Sequence, residues 1–345
     1  MAQPGDGTTR TPARRRPSPA ALALVIAVGV VALQALLVPL FSAPAANLDP
    51  RDLPVVVAGP APAAQGFAAQ LESARPGAFE VTTLPDAASA DEALRDRDAY
   101  AAFVVGPDGL TLHTAPAASP TVATLLTQAS AQLNGGQPVR TVEVVPLDPD
   151  DPRGTGFASG FLPLAITSLL AGIGIYFAAR GRGPRLAGLL GYAVLAGLTS
   201  AAVLQFWLGV IPGEYLLNAA AIGLFTLGVA GAVTGLAAVF GEPGVGLGAL
   251  VIFLAGNALS GVAAAPQLLP QPWGEIGQWL PVGAGGTLLR STAYFDGAGG
   301  ATAAWILAAY AIVGLVLVAL GRGRTAARTA PAAPEPAADQ VRSTV

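Results

Sequence analysis

The chain has 345 residues, of which 53% are hydrophobic and 11% charged, with a mean hydropathy of +0.58 and a formal charge of −3. That balance excludes an ordinary soluble globule and places the chain in the membrane class. All 18 basic residues are Arg and there is no Cys, which excludes disulfides, zinc thiolates, a thiol nucleophile and, for want of a Lys, a Walker A phosphate loop. An Arg-only basic set with abundant Ala, Gly and Pro has the coding bias of a high-GC bacterial genome.

Residues 1–19 are Pro-rich and carry Arg10, Arg14, Arg15 and Arg16 against Asp6, which predicts a disordered cytoplasmic tail. Residues 20–42 hold ALALVIAVGVVALQALLVPLF and are predicted as a first transmembrane helix. A signal peptide cleaved near Ala43-Pro44-Ala45 is the competing reading, but the apolar run exceeds the usual length of a signal core.

Residues 43–156 change character, with 14 acidic residues against 6 Arg between 46 and 153. Leu53–Gly59 reads as a buried strand, 63–74 as a helix with Phe67 and Leu71 on one face, and Phe79–Leu84 as a strand. Ser89 and Glu92 have the spacing of a capping box, which predicts a short helix through Arg97. Tyr100–Val105 and Leu110–Thr114 flank Asp108-Gly109, a hairpin turn. Ser119-Pro120 predicts the start of a helix that runs to Leu133 and stops at Asn134-Gly135, and Arg140–Val145 is the last strand. The order βαβαββαβ predicts a compact extracytoplasmic α/β domain.

From Gly154 onward the chain is a series of long stretches without a charge. They predict five further spans within 157–321, at about 157–179, 186–209, 216–240, 245–265 and 301–321. Residues 266–300, broken by Pro266, Pro270, Pro272 and Pro281, read as a re-entrant or interfacial outer segment with Trp273, Trp279 and Tyr294 at headgroup depth. Residues 322–345 read as a second disordered cytoplasmic tail. Arg14–Arg16, Arg180, Arg182, Arg185, Arg322, Arg324 and Arg328 then fall on one side, and the acidic α/β domain on the other. The positive-inside rule puts both termini in the cytoplasm, with Trp207, Tyr215, Trp273, Trp279 and Trp305 at the outer end.

Residues able to carry chemistry are few. His113 is the single His, and an ordinary strand residue is its expected role. Asp148, Asp150 and Asp151 cluster before the second span without the Gly and Glu of a calcium loop, so a linker is expected and no metal. Gln34, Gln205, Asn218, Asn257 and Ser260 are polar groups in spans, expected to bond helix to helix. Gly156/Gly160, Gly231/Gly235 and Gly244/Gly248 have G-x-x-x-G spacing, suited to close packing within or between protomers. No enzyme, no cofactor and no nucleic-acid partner is expected.

One span, an α/β insert, five more spans and an outer broken segment before the last of them resemble the type 2 ABC exporter permeases. ALRDRDAYAAFVVGPDGLTLHTAPAASPTVATLL within 91–133, and NALSG, LLPQPW, GQWLPVGA and LLRSTAYFDG within 257–297, are similar to elements of the YhgE/Pip (phage infection protein) branch. The resemblance covers about 20–321. It implies a homodimeric permease-like subunit of a bacterial inner membrane that meets lipids and exports an amphipathic or envelope-related substrate with a separate ATP-binding subunit. Asn257, Ser260, Gly261, Leu280, Pro281 and Arg290 are then candidates for shaping its outer mouth, with Arg290 pairing with Glu275 or with lipid phosphate. The same residues admit a rival class, a membrane-anchored envelope binding or assembly protein that transports nothing. That reading draws on the short basic loop at Gly181–Arg185 and on the absence of an amphipathic pattern in 1–19.

Overall fold

The computed structural model describes residues 18–107 and 109–321. Residues 1–17 and 322–345, with the tail arginines, and Asp108 of the predicted hairpin turn lie outside them. Helix α1, Pro19–Ala46, is a unit by itself, and the chain from Asn47 onward is a second compact unit. The most apolar 18-residue window of α1 has a mean hydropathy of 2.8, long and apolar enough to cross a membrane.

The α/β domain has the predicted element order: β1 (Leu53–Ala58), α2 (Ala61–Ala74), β2 (Phe79–Leu84), α3 (Ala87–Arg95), β3 (Ala101–Gly106), β4 (Gly109–Thr114), α4 (Pro120–Leu133) and β5 (Arg140–Glu143). The sheet runs β2-β1-β3-β4-β5 and is mixed. β1 lies parallel to β2 and β3, β4 turns back antiparallel on β3, and β5 is parallel to β4. Alternation sends Val55, Val57 and Phe103 to one face and Val56, Ala58 and Ala102 to the other, so each face has its own core. Ser119 caps α4 as expected, accepting from the amide of Val122, with Pro120 in the first turn. The predicted cap of α3 is displaced. Asp86, not Ser89, opens the helix, because its carboxylate accepts from both the amide and the hydroxyl of Ser89.

Five of the six long apolar helices belong to the second unit. They are α5 (Thr155–Ala178), α6 (Arg182–Ala202, continued by a π-helical turn to Trp207), α7 (Tyr215–Phe240), a composite of α8 (Glu242–Leu247), a π-helical stretch (Gly248–Ala255) and α9 (Gly256–Leu259), and α12 (Ala301–Leu320). Helix α7 is the axis of the bundle. Seventy-two per cent of its most apolar window is buried, against 22–33% in its neighbours. It achieves this with small residues. A Cβ on Gly172 of α5 would lie 2.8 Å from the Ala230 carbonyl oxygen, and one on Gly235 would lie 2.7 Å from that of Gly314 in α12. Backbone thus meets backbone, which an apolar solvent favours through van der Waals contact. All three G-x-x-x-G pairs face neighbours inside this chain: Gly156/Gly160 face Val210 and Leu204, Gly231/Gly235 face α12, and Gly244/Gly248 face Leu236 and Val233.

Two arginines of the predicted inner loop, Arg182 and Arg185, are bonded groups, not free charges. Arg185, 4% exposed, donates to the carbonyls of Tyr176 and Ala179 at the end of α5 and stacks on the Tyr176 ring. Arg182 donates to the carbonyl of Gly321, which ends α12. Both satisfy carbonyls at a helix C-terminus, where a cation is favoured. At the opposite end, next to the α/β domain, Trp207 and Trp305 are 80% and 75% exposed.

One predicted span is too long. The apolar run at 245–265 is helical only to Leu259. Gly261 takes a left-handed conformation with φ +65°, and the chain then turns into the α/β domain. Ala265 and Leu268 join the core formed by Leu53, Val55, Phe103 and Leu126. Asp49 and Arg51 donate backbone amides to the carbonyls of Leu268 and Gln267, continuing the seam. The predicted broken segment then folds as a helical hairpin, α10 (Trp273–Trp279) and α11 (Pro281–Tyr294), joined at Leu280. Gly285 of α11 abuts Phe225 and Phe161 inside the bundle, while Thr292 bonds Asn218 near the start of α7. The hairpin therefore enters and leaves the bundle from the same end.

Candidate functional site

The α/β domain and the helical bundle are joined along a cleft of about 570 Å³. One wall is domain surface, including Asp52, Glu80, Arg97 and Tyr100; the other is the 260–267 turn and the hairpin. Four of the sequence-derived candidates line it: Ser260, Gly261, Glu275 and Arg290. Asn257, Leu280 and Pro281 are not among its lining residues. They position the ones that are. Asn257 accepts the Ser260 hydroxyl through its carbonyl, and Leu280-Pro281 is the corner that starts α11.

Arg290 sits where the two bodies meet and is 7% exposed. One η-nitrogen donates to the carbonyl of Ala117 in the α/β domain, and the other to the carbonyl of Val262 in the turn, each at 2.9 Å. Its guanidinium lies 4.5 Å from the centre of the Phe157 ring. The planar fork is what allows one side chain to hold two carbonyls on separate segments. The expected ion pair with Glu275 is not among its contacts; Glu275 stands exposed in the first turn of α10.

Arg97 was not among the sequence-derived candidates. It follows α3 with φ +65° and points across the junction, where Nη1 donates to the carbonyl of Thr287 at 3.1 Å. Its guanidinium stacks 5.2 Å from the centre of the Phe295 ring. Tyr100 donates its hydroxyl to the Gln267 side chain at 2.9 Å. On the hairpin side, Gln278 donates to the Ser260 carbonyl and accepts from Thr287. Thr121 adds a hydroxyl bond to the carbonyl of Ala263. The Arg97, Tyr100 and Thr121 links join residues more than 140 positions apart in sequence, and no local pattern announces them.

Burial dominates the titration behaviour here. It pushes the Arg290 guanidinium down to about 10, with the charge of Arg97 adding to the effect. Burial also lowers Arg97 and raises Tyr100. At about 10, Arg290 is still cationic at neutral pH.

The remaining candidates fall elsewhere. His113 pairs with Asp91 at 2.6 Å between β4 and α3, away from the cleft. Asp151, 5% exposed, accepts the amide of Phe157, so it caps the start of α5, and Asp148 accepts the amide of Asp150 in a tight turn. Among the described residues no group of acidic and His side chains is placed to hold a metal. Gln205 and Asn218 donate to the carbonyls of Gly213 and Pro212 in the loop before α7, and the Asn218 side chain also accepts a helix-to-helix bond from Thr292 of α11. The chain matches none of the known family models, curated proteins or solved structures with which it was compared.

Proposed function

We propose that this chain is a multi-pass protein of a bacterial cell membrane that binds an amphipathic ligand at its outer surface, as an anchored envelope binding or assembly protein. The observation that carries the reading is the cleft between the α/β domain and the hairpin, whose walls are tied by Arg290, Arg97, Tyr100 and Thr121. A preformed concave site with polar groups on its walls is an ordinary ligand site. The exposed Trp207, Trp279 and Trp305 near the same end suit the headgroup layer, and Arg180, Arg182 and Arg185 at the other end suit the cytoplasmic side. That orientation puts the α/β domain outside the cell. The connections at the far end support a protein without an ATPase: 179–181 joins α5 to α6, and Gly241 alone joins α7 to α8, leaving no coupling helix there.

A second reading is the permease-like subunit of an exporter, working as a dimer with a separate ATP-binding subunit. The hairpin that enters and leaves the bundle from one end favours it, because non-helical corners at bundle depth suit a substrate path. Purification from native membranes in mild detergent, with mass spectrometry of co-purifying chains and an ATPase assay, separates the two. A homo-oligomer or monomer carrying small amphiphiles supports the first. A stoichiometric nucleotide-binding subunit with ATPase activity would replace it with the second.

A further inference from the structure

Three arginines line the cleft. Arg51 is taken up by the backbone carbonyls of Asn47, Asp49 and Leu268, and among the described residues neither Arg97 nor Arg290 has an anionic partner. The ion pairs among the described residues are Arg75 with Asp49 and His113 with Asp91. Asp52, Glu80 and Glu275 also line the cleft, and none of them pairs with Arg97 or Arg290. Charges buried without a counter-ion are costly, so such pairs mark sites that wait for one.

The two arginines are not equivalent. Both η-nitrogens of Arg290 are engaged by carbonyls, so it acts as a fixed positive charge. Arg97 uses Nη1 alone; among the described residues Nε and Nη2 have no hydrogen-bond partner. No buried side-chain nitrogen among the described residues lacks a partner, so these donors are not sealed in protein, and Arg97 lines the cleft. An open guanidinium edge is the shape that grips two oxygens of one anion.

We propose that the cleft binds the phosphate group of an amphipathic molecule, gripped by the free edge of Arg97 in the field of Arg290. Phosphate fits better than carboxylate because a phosphate monoester carries about −1.5 to −2 at neutral pH, enough to balance both guanidiniums. Neutral donors on the walls, including Gln271, complete the shell. The apolar part of the ligand lies along α10, where Trp279 lines the cleft and is 66% exposed, with Trp273 and Ile276 beside it. The proposal rests on the cleft being a ligand site, and it names the chemistry of that ligand.

The test uses the full chain in a neutral detergent and isothermal titration with three probes: dihexanoyl phosphatidic acid, dihexanoyl phosphatidylcholine and glycerol phosphate. Phosphatidic acid is expected to bind at least tenfold more tightly than phosphatidylcholine. Arg97→Gln should weaken it at least tenfold and leave phosphatidylcholine within twofold, with Arg97→Lys in between and the exposed Arg95→Gln unchanged. Glycerol phosphate as tight as phosphatidic acid supports the phosphate site and makes a soluble ester its source; much weaker binding makes a lipid headgroup the source. Equal affinity for the two lipids, or an Arg97→Gln protein that binds phosphatidic acid like the wild type, overturns the proposal. If both lipids bind equally and Gln271→Trp, which fills the rim, abolishes both, the amphiphile cleft survives without its anion site. Binding of none of the probes sinks both readings. Should Arg97→Gln fail to fold, the comparison of the two lipids on the wild-type chain decides alone.

Discussion

Replacing Arg290 asks whether the two bodies are held together by a buried cation. Arg290→Met keeps the length of the side chain and removes the charge. It leaves the carbonyls of Ala117 and Val262 without their donor, about 2 kcal/mol each, and removes the stacking on Phe157, about 1 kcal/mol. Against this loss of about 5 kcal/mol stands the relief of a desolvated charge. Its folded value near 10, well below the ordinary guanidinium value, corresponds to about 3 kcal/mol. The net is a destabilisation of about 2 kcal/mol. Arg290→Lys should be at least as harmful, because the ammonium keeps the desolvation cost and cannot span both carbonyls. Thermal unfolding in detergent reads the magnitude. Hydrogen exchange over 261–268 reads the location, since that turn loses its tie to the α/β domain. A lysine variant as stable as the wild type, or a methionine variant with unchanged exchange in 261–268, would refute the argument that the fork of Arg290 holds the junction.

The other predictions concern the same junction and the bundle below it. Leu268→Ala deletes a side chain that is wholly buried in the α/β core, so it should cost about 2–5 kcal/mol and raise proteolysis within 261–272. Gly314→Leu pushes a side chain into the backbone of Gly231 and Ala232 of α7; a destabilisation of about 1–3 kcal/mol is expected, measured as a lower unfolding temperature in detergent, and a wild-type transition would deny the backbone contact. Arg290 and Tyr294 should contribute little pH dependence between pH 6 and 9. Tyr294 is raised to about 12 by burial, so its share of stability is complete below the ordinary value of 10.0 and is lost as pH climbs through 12. The lowered Arg290 acts in the opposite sense, since above about 10 unfolding takes up a proton and stability rises with pH. Tyr294→Phe should therefore remove its share of the alkaline loss, leaving that of the raised Tyr100 and the opposing Arg290 contribution, which unfolding curves between pH 9 and 12 read.

What the sequence makes legible follows from whether its signal is local. The α/β order came through because each element there has its own punctuation, such as Ser119-Pro120 before α4. The spans came through because length and apolarity are enough to mark them. The overrun at 260–265 shows the limit: an apolar run bound for a bilayer and one bound for an α/β core have the same composition, and only the left-handed Gly261 separates them. Arg97 was invisible for a different reason. In LRDRDAY it reads as one more solvated charge after a short helix, and its partner Thr287 is 190 residues away. Gly314 likewise stands alone in its helix, so the partner of Gly231 and Gly235 could not be named beforehand.

The way the two bodies are tied constrains how any ligand acts. Domain and bundle are linked by the 261–268 plug, by Arg290 and by Arg97, and the plug is part of the α/β core itself. A hinge between them would have to expose Ala265 and Leu268, both at most 1% exposed, so domain opening as a rigid body is costly. The softer element is the hairpin, whose α10 has seven residues and leaves Trp273, Ile276 and Trp279 exposed. Its bond from Gln278 to the Ser260 carbonyl and its bond from Thr287 sit at the cleft wall. A ligand anchored at Arg97 reaches Thr287 through that residue's own partner carbonyl, so occupancy is felt first by α11 and α10, the elements that enter the bundle. The hairpin, and not the α/β domain, is therefore the part whose exchange protection should change when the cleft fills.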